Sequence, residues 1–212
     1  SASALQFSAS GTIVILGFTS GKTEVGYFSA ADKLIKAASA ALNPLAQALY
    51  PHTTAAKLRS PQAAFRLIRK TFLMVGAVSL FVSLMTILFA PSVCHIVLGK
   101  SFEHSIPILR WLSPLPLLCG LTSILGTQTM LVFEMDRILT KLLLFSILLG
   151  TPVTAVLSAS FGTLGAAGGS VITATLILVA MWSVLHSRKM LFWQHSKQQD
   201  TVLAESSYAV TD

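Results

Sequence analysis

A chain of 212 residues that is 53% hydrophobic and only 11% charged, with a mean hydropathy of +0.73, is too oily for an ordinary soluble domain, in which about 25% of residues carry charge. Its net charge of +7 does not point to nucleic acid, because no aromatic-and-basic groove or zinc-finger spacing accompanies it. Two cysteines, Cys94 and Cys119, are too few for a disulfide framework and read as small buried hydrophobes, with Cys94 near a membrane edge.

The chain opens SASALQF, without an initiator Met or a basic region before the first apolar run. It lacks the layout of a secretory signal and reads as an excerpt of a longer frame. The first apolar run, Ala4 to Phe18, is just long enough to span if a few residues precede it. A tight polar turn, Ser20-Gly21-Lys22-Thr23-Glu24, follows.

From Ser29 to Tyr50 the polar residues Ser29, Asp32, Lys36, Ser39, Asn43, Gln47 and Tyr50 recur every three or four positions, with Lys33 beside them. That spacing predicts one helix with a single polar face. The remaining positions are Ala and Leu, small enough to admit a close neighbouring helix. At about 1.5 Å per residue the segment would reach roughly 33 Å, a bilayer's hydrocarbon thickness. Charged groups at that depth call for a protein-walled aqueous cavity. Pro44 is expected to kink this helix and free the carbonyl of Ala40.

Pro51 to Lys70 is strongly basic, with Lys57, Arg59, Arg66, Arg69 and Lys70 and no acid. Thr71 to Ala90 is a clean apolar span closed by Pro91, and Ser92 to Ser105 reads as a short interfacial amphipathic piece. Further spans are expected over Ile106–Phe133, Leu142–Ser160 and Gly162–Leu185. The link Phe161-Gly162-Thr163 is so short that the last two must pair antiparallel, with Gly165, Gly168 and Gly169 favouring close contact. The result is an all-α polytopic membrane protein, a six-helix bundle over residues 1–185 with a polar tail from 186 to 212.

Counting Lys and Arg by alternating loops sets the orientation. One side holds Lys57, Arg59, Arg66, Arg69, Lys70, Arg137, Lys141, Arg188, Lys189 and Lys197, and the other Lys22, Lys100 and Arg110. The basic loop and the C-terminus are therefore expected to be cytoplasmic. Asp32 and Lys36 then lie roughly 10 and 16 Å along their helix, the latter near the bilayer centre.

Motifs for chemistry are sparse. Gly21-Lys22-Thr23 and Gly99-Lys100-Ser101 lack the earlier glycine of a phosphate loop, since Leu16 and Cys94 stand there. The five histidines show no metal-ligand spacing, and no nucleophile, base and acid assemble into an enzyme. No cofactor or metal is expected. Asp32 precedes Lys36 by four residues, the favourable order for an ion pair. That pair either neutralises itself, leaving Lys33 to snorkel, or Lys33 or Lys36 offers a counter-charge to an anionic substrate. Asn43, Gln47 and Tyr50 suit a hydroxyl-rich ligand or bonds between helices. Arg110 reads as an anchor at the headgroups.

Val25-Gly26-Tyr27-Phe28-Ser29-Ala30-Ala31-Asp32-Lys33 and Gln47-Ala48-Leu49-Tyr50-Pro51 resemble the eighth span of the polysaccharide transporter family. These are the O-antigen, or lipid-linked oligosaccharide, flippases of the multidrug/oligosaccharidyl-lipid/polysaccharide exporter superfamily. Ala90-Pro91, Leu98-Gly99, Pro107-Ile108-Leu109-Arg110 and Phe161-Gly162-Thr163-Leu164-Gly165-Ala166-Ala167 extend the likeness. The resemblance implies spans seven to twelve of a twelve-helix transporter, partnered by an N-terminal six-helix bundle. It also implies an undecaprenyl-pyrophosphate-linked sugar repeat as substrate in the bacterial cytoplasmic membrane, alongside the polysaccharide polymerase and chain-length machinery. Asp32, Lys33 and Lys36 occupy its cationic stretch, with Asp32 where the family often has glutamate. Rival readings are a drug/cation antiporter of the same superfamily, a non-transporting component of a polysaccharide-assembly complex, and a sugar-chain polymerase.

Overall fold

A computed structural model describes residues 21–41, 43–59 and 61–187. The expected first span, Ala4 to Phe18, and nearly all of the polar tail lie outside them. Among the described residues the architecture is helical throughout, in the order Lys22–Ala40 (α1), Asn43–Arg59 (α2), Pro61–Leu88 (α3), Ala90–Val97 (α4), Ser105–Leu112 (α5), Leu115–Ser123 (α6) and Asp136–Ser187 (α7). A short 3-10 turn, Lys100–Phe102, precedes α5, and a π-helical stretch, Ile124–Leu131, prolongs α6.

Among the described residues three stretches are long and apolar enough to cross a membrane: Ala64–Leu88, Ser105–Leu131 and Asp136–Ser187. The last runs to 52 residues. A straight helix of that length would measure about 78 Å against a hydrocarbon core of about 30 Å. The chain resolves this at Gly162, whose φ of 59° and ψ of −135° break the helix with a backbone that suits glycine. The two arms fold back on each other, so Gly169 meets Thr154 and Gly150 meets Thr173. Each threonine bonds the carbonyl of the glycine one turn earlier on its own arm, Thr154 to Gly150 and Thr173 to Gly169, both at 2.8 Å. Gly165 lies against the Leu157 carbonyl, whereas Gly168 faces open space. The expected antiparallel pair is present, held by Gly150, Gly165 and Gly169.

Two buried clusters lie at opposite ends of the bundle. One gathers Phe65, Ile68, Leu125, Met135, Leu139 and Leu185 with their neighbours. It brings together the start of α3, the turn before α7 and both ends of α7, where Arg66, Arg69, Lys70, Arg137 and Lys141 also stand. The other packs Phe28, Ala31 and Ile35 of α1 on Ile108, Leu109 and Leu112 of α5, beside Ala166 and Ala167 near the hairpin tip. Among the described residues, the basic segments that charge counting assigned to one side thus meet at one end.

Several boundaries differ from expectation. Helix α3 begins at Pro61, ten residues ahead of the apolar run, because the basic segment is itself helical. The expected fourth span is interrupted at Ser113 and Pro114, where Pro114 and Pro116 each remove a backbone donor. Ser83 Oγ on α3 donates to the Ser113 carbonyl at 2.5 Å and satisfies part of that break. Cys94 is buried as expected, its Sγ donating to the Phe102 carbonyl at 3.1 Å, whereas Cys119 is exposed.

Candidate functional site

The polar stripe is divided between two helices. The chain leaves the helix after Ala40 and resumes at Asn43, so Pro44 is the second residue of α2 rather than a kink within one helix. A proline at the start of a helix gives up a donor that would be unpaired anyway, and its fixed φ suits the first turn. Helix α2 then continues through Pro51 to Arg59, past the expected end at Tyr50. Ser29, Asp32, Lys33, Lys36 and Ser39 therefore stay together on α1, while Asn43, Gln47 and Tyr50 belong to α2. Gln47 is exposed; the side chains of Asn43 and Tyr50 lie outside the described residues.

On α1 the residues Phe28, Ala31 and Ile35 recur every three or four positions and are buried, which turns the opposite face outward. That outward face carries Gly26, Lys33, Lys36, Ala37 and Ala40, all exposed. Asp32 stands at its edge with 13% of its side chain accessible and pairs with Lys36 through its Oδ2. Among the described residues no ion pair reaches Lys33. The arrangement is one neutralised pair plus one further cation on a face of small residues. Ser39 Oγ, also on this helix, is buried without a hydrogen-bond partner among the described residues.

The exposed positions of α2 continue the same character: Pro44, Gln47, Ala48, Pro51, His52 and Ala55. The bundle's other outward faces are of a different kind. Leu73, Leu80, Phe81, Leu84 and Leu88 on α3 are exposed, as are Phe145, Leu148, Val156, Phe161 and Val179 on α7. An open apolar hollow lined by Phe81, Val82, Met85, Thr86, Phe89 and Val93 lies on this oily side and shares no residue with α1 or α2.

Both ends of the α1–α2 wall are secured. At one, the Tyr27 ring stacks on His104 and meets Phe102 edge-on, and Ser105 Oγ donates to the Tyr27 carbonyl at 3.0 Å. At the other, Lys57 Nζ donates to the Val132 carbonyl at 2.8 Å and to Glu134 Oε1 at 2.9 Å, and lies 5.7 Å above the Phe133 ring. Phe133 stacks in turn on Phe65. The ammonium of Lys57 holds the Glu134 carboxyl below its ordinary range.

Lys57 was legible only as one more basic residue, and its docking role depends on a turn far along the chain. The π-helical stretch was also missed. Its one sequence signal is the polar triplet Thr127-Gln128-Thr129 inside an apolar run, where Gln128 and Thr129 are fully buried. Such wide turns are uncommon and recur at functional sites. Among the described residues no group of three His, Cys, Asp or Glu side chains could hold a metal ion.

Compared with known proteins, the chain is 30% identical over 191 residues to a putative O-antigen transporter of Escherichia coli (strain K12). The match covers 90% of this chain and 46% of that relative, so the chain spans about half the length of the curated protein it matches. No family model and no solved structure matches it.

Proposed function

We propose that the chain is the C-terminal six-helix half of a flippase that moves lipid-linked polysaccharide repeat units across the bacterial cytoplasmic membrane. The observation that carries this reading is the contrast between outward faces. Helices α3 and α7 turn large apolar side chains outward, as lipid-facing helices do, while α1 presents Lys33, Lys36, Ala37 and Ala40. A small, cationic face costs too much against acyl chains and fits an aqueous path shared with a second bundle. The likeness to a protein named for O-antigen transport supports the cargo class, an undecaprenyl-pyrophosphate-linked sugar repeat.

The substrate-binding residues of this reading are Asp32, Lys33, Lys36, Asn43, Gln47 and Tyr50. Lys36 is balanced by Asp32, so Lys33 supplies the counter-charge to pyrophosphate, and the amides and phenol of α2 bond sugar hydroxyls. At about 4 Å, a unit charge pair is worth about 1 kcal/mol in water and about 4 kcal/mol at an effective dielectric of 20. A partly dry cavity therefore holds the anion firmly, and release follows when rocking of the two bundles rehydrates the lysines. The basic end faces the cytoplasm, with the Tyr27–His104 end outside. A drug/cation antiporter would place net negative charge on this wall, whereas two lysines here outnumber one aspartate.

The test uses the full reading frame in a strain lacking its own transporter. Lys33→Ala, with the protein at wild-type level in the membrane, is expected to reduce surface polysaccharide strongly, and Lys36→Ala less so. Equal restoration by both variants and wild type would overturn the counter-charge role.

A further inference from the structure

One line of side chains on α3 changes character along its length. Arg66, Lys70, Leu73, Ala77, Phe81, Leu84 and Leu88 follow at intervals of three and four, so they share one face. All are exposed, the large apolar ones from Leu84 at 47% to Leu88 at 66%. The switch from cation to aliphatic falls between Lys70 and Leu73, a rise of only about 4.5 Å. A face that is cationic above that level and oily below it marks the headgroup boundary of one leaflet.

Arg66 and Lys70 stand one turn apart with the same charge, an arrangement that is mildly destabilising on a helix unless an anion lies between them. Pro61–Leu88 contains no acid, and among the described residues no ion pair reaches either cation. Their surroundings add positive charge, since the stacking of Phe65 on Phe133 and the packing of Ile68 with Leu139 and Leu185 bring the Arg137 and Lys141 end of α7 to the same level. Among the described residues of this end, Glu134 is taken by Lys57, which leaves Asp136 as the other acid.

We propose that Arg66 and Lys70 hold the phosphate of an anionic phospholipid from the leaflet at the basic end. Its acyl chains lie along Leu73, Ala77 and Phe81. From Lys70 to Phe81 the helix rises about 16 Å, which matches the roughly 15 Å of one leaflet's hydrocarbon. Arginine grips phosphate oxygens in pairs and lysine adds a point charge, so the two together select against zwitterionic lipid. The site looks out from the oily wall and shares no residue with α1 or α2, so it is separate from the cargo path. It rests on the chain spanning a membrane and stands whatever that path carries.

The purified full chain in mild detergent is titrated with phosphatidylglycerol or phosphatidylcholine, and bound lipid is counted by native mass spectrometry. Each cation near an anionic lipid contributes roughly a factor of five, so a preference of about tenfold or more for phosphatidylglycerol is expected. The double variant Arg66→Gln/Lys70→Gln brings the preference close to one. Arg66→Lys/Lys70→Arg keeps most of it and controls for folding. Arg110→Gln, an exposed cation of the opposite end, leaves it unchanged. The proposal is overturned if the wild type shows no preference, if the double glutamine variant retains it, or if Arg110→Gln removes as much. Ready displacement of phosphatidylglycerol by a polyprenyl pyrophosphate would assign the pair to the cargo lipid instead and overturn it as well.

Discussion

Helices α1 and α3 both expose one side of a helix, yet the two sides are chemically opposite. The outward face of α3 below Lys70 is a ladder of Leu, Ala and Phe; that of α1 is Gly, Ala and two lysines. Composition separates them in part, since Ala64–Leu88 of α3 is long and apolar enough to cross a membrane whereas α1 carries Glu24, Asp32, Lys33 and Lys36. Packing sharpens the difference, because it buries Phe28, Ala31 and Ile35 of α1 and turns small and cationic residues outward. In a membrane protein an exposed face reports its solvent, and on the proposed reading α3 and α7 meet lipid while α1 and α2 meet water or a wet partner.

The sharpest way to break this comparison is to exchange the solvents. Lysine at Phe81, on the oily wall, is expected to cost about 3 kcal/mol of insertion free energy and to abolish most folded protein in the membrane. Ala37→Lys on the wet wall is expected to leave the yield near wild type. Quantifying detergent-extractable, monodisperse protein checks both, and equal tolerance at the two positions would dissolve the contrast.

The next effect concerns the hairpin that carries much of the oily wall. A methyl group at Gly165 would collide with the backbone carbonyl of Leu157, which has no rotamer by which to yield. Gly165→Ala is therefore expected to destabilise the bundle by about 1–3 kcal/mol, read as a lowered thermal midpoint. Gly168→Ala, with nothing within 4 Å, should sit within about 0.5 kcal/mol of wild type.

The smallest effect is at the seam where the wet wall joins the oily hairpin. Lys57 holds the Glu134 carboxyl below its unfolded value near 4.5. A depressed carboxyl contributes stability that is fully present above that unfolded value and is lost as pH falls through the lower folded one. Glu134→Gln is expected to lower the thermal midpoint slightly at pH 7, and the difference should shrink as pH falls below 4.5. Because Glu134 is exposed, added salt should shrink the difference at pH 7. Lys57→Met should have the larger effect, since it also strips the Val132 carbonyl of its donor.

Much of this organisation was visible before the fold was known. The apolar run after Lys70, the short link at Gly162 and the lopsided distribution of Lys and Arg each follow from a local rule, and the hairpin and the basic end bear them out. The polar period from Ser29 was legible too, and it places Asp32 beside Lys36 correctly. It misled at Pro44, because a period of three to four residues in the sequence does not reveal where one helix stops and another starts. Lys57 and the π-helical stretch were out of reach because their surroundings come from elements distant in sequence.

By itself the sequence determined that the chain is helical, which segments are oily enough for lipid, and which segments carry the positive charge. Those properties are sums over neighbouring residues, and each residue contributes its share wherever the chain goes. Only tertiary packing decided which side of α1 is covered by Ile108, Leu109 and Ala166, and hence which side is left to face its surroundings. It also decided that Gly150, Gly165 and Gly169, rather than Gly168, are the places where the arms touch. An amphipathic period names two faces, and the shape of a neighbour settles which of them is buried.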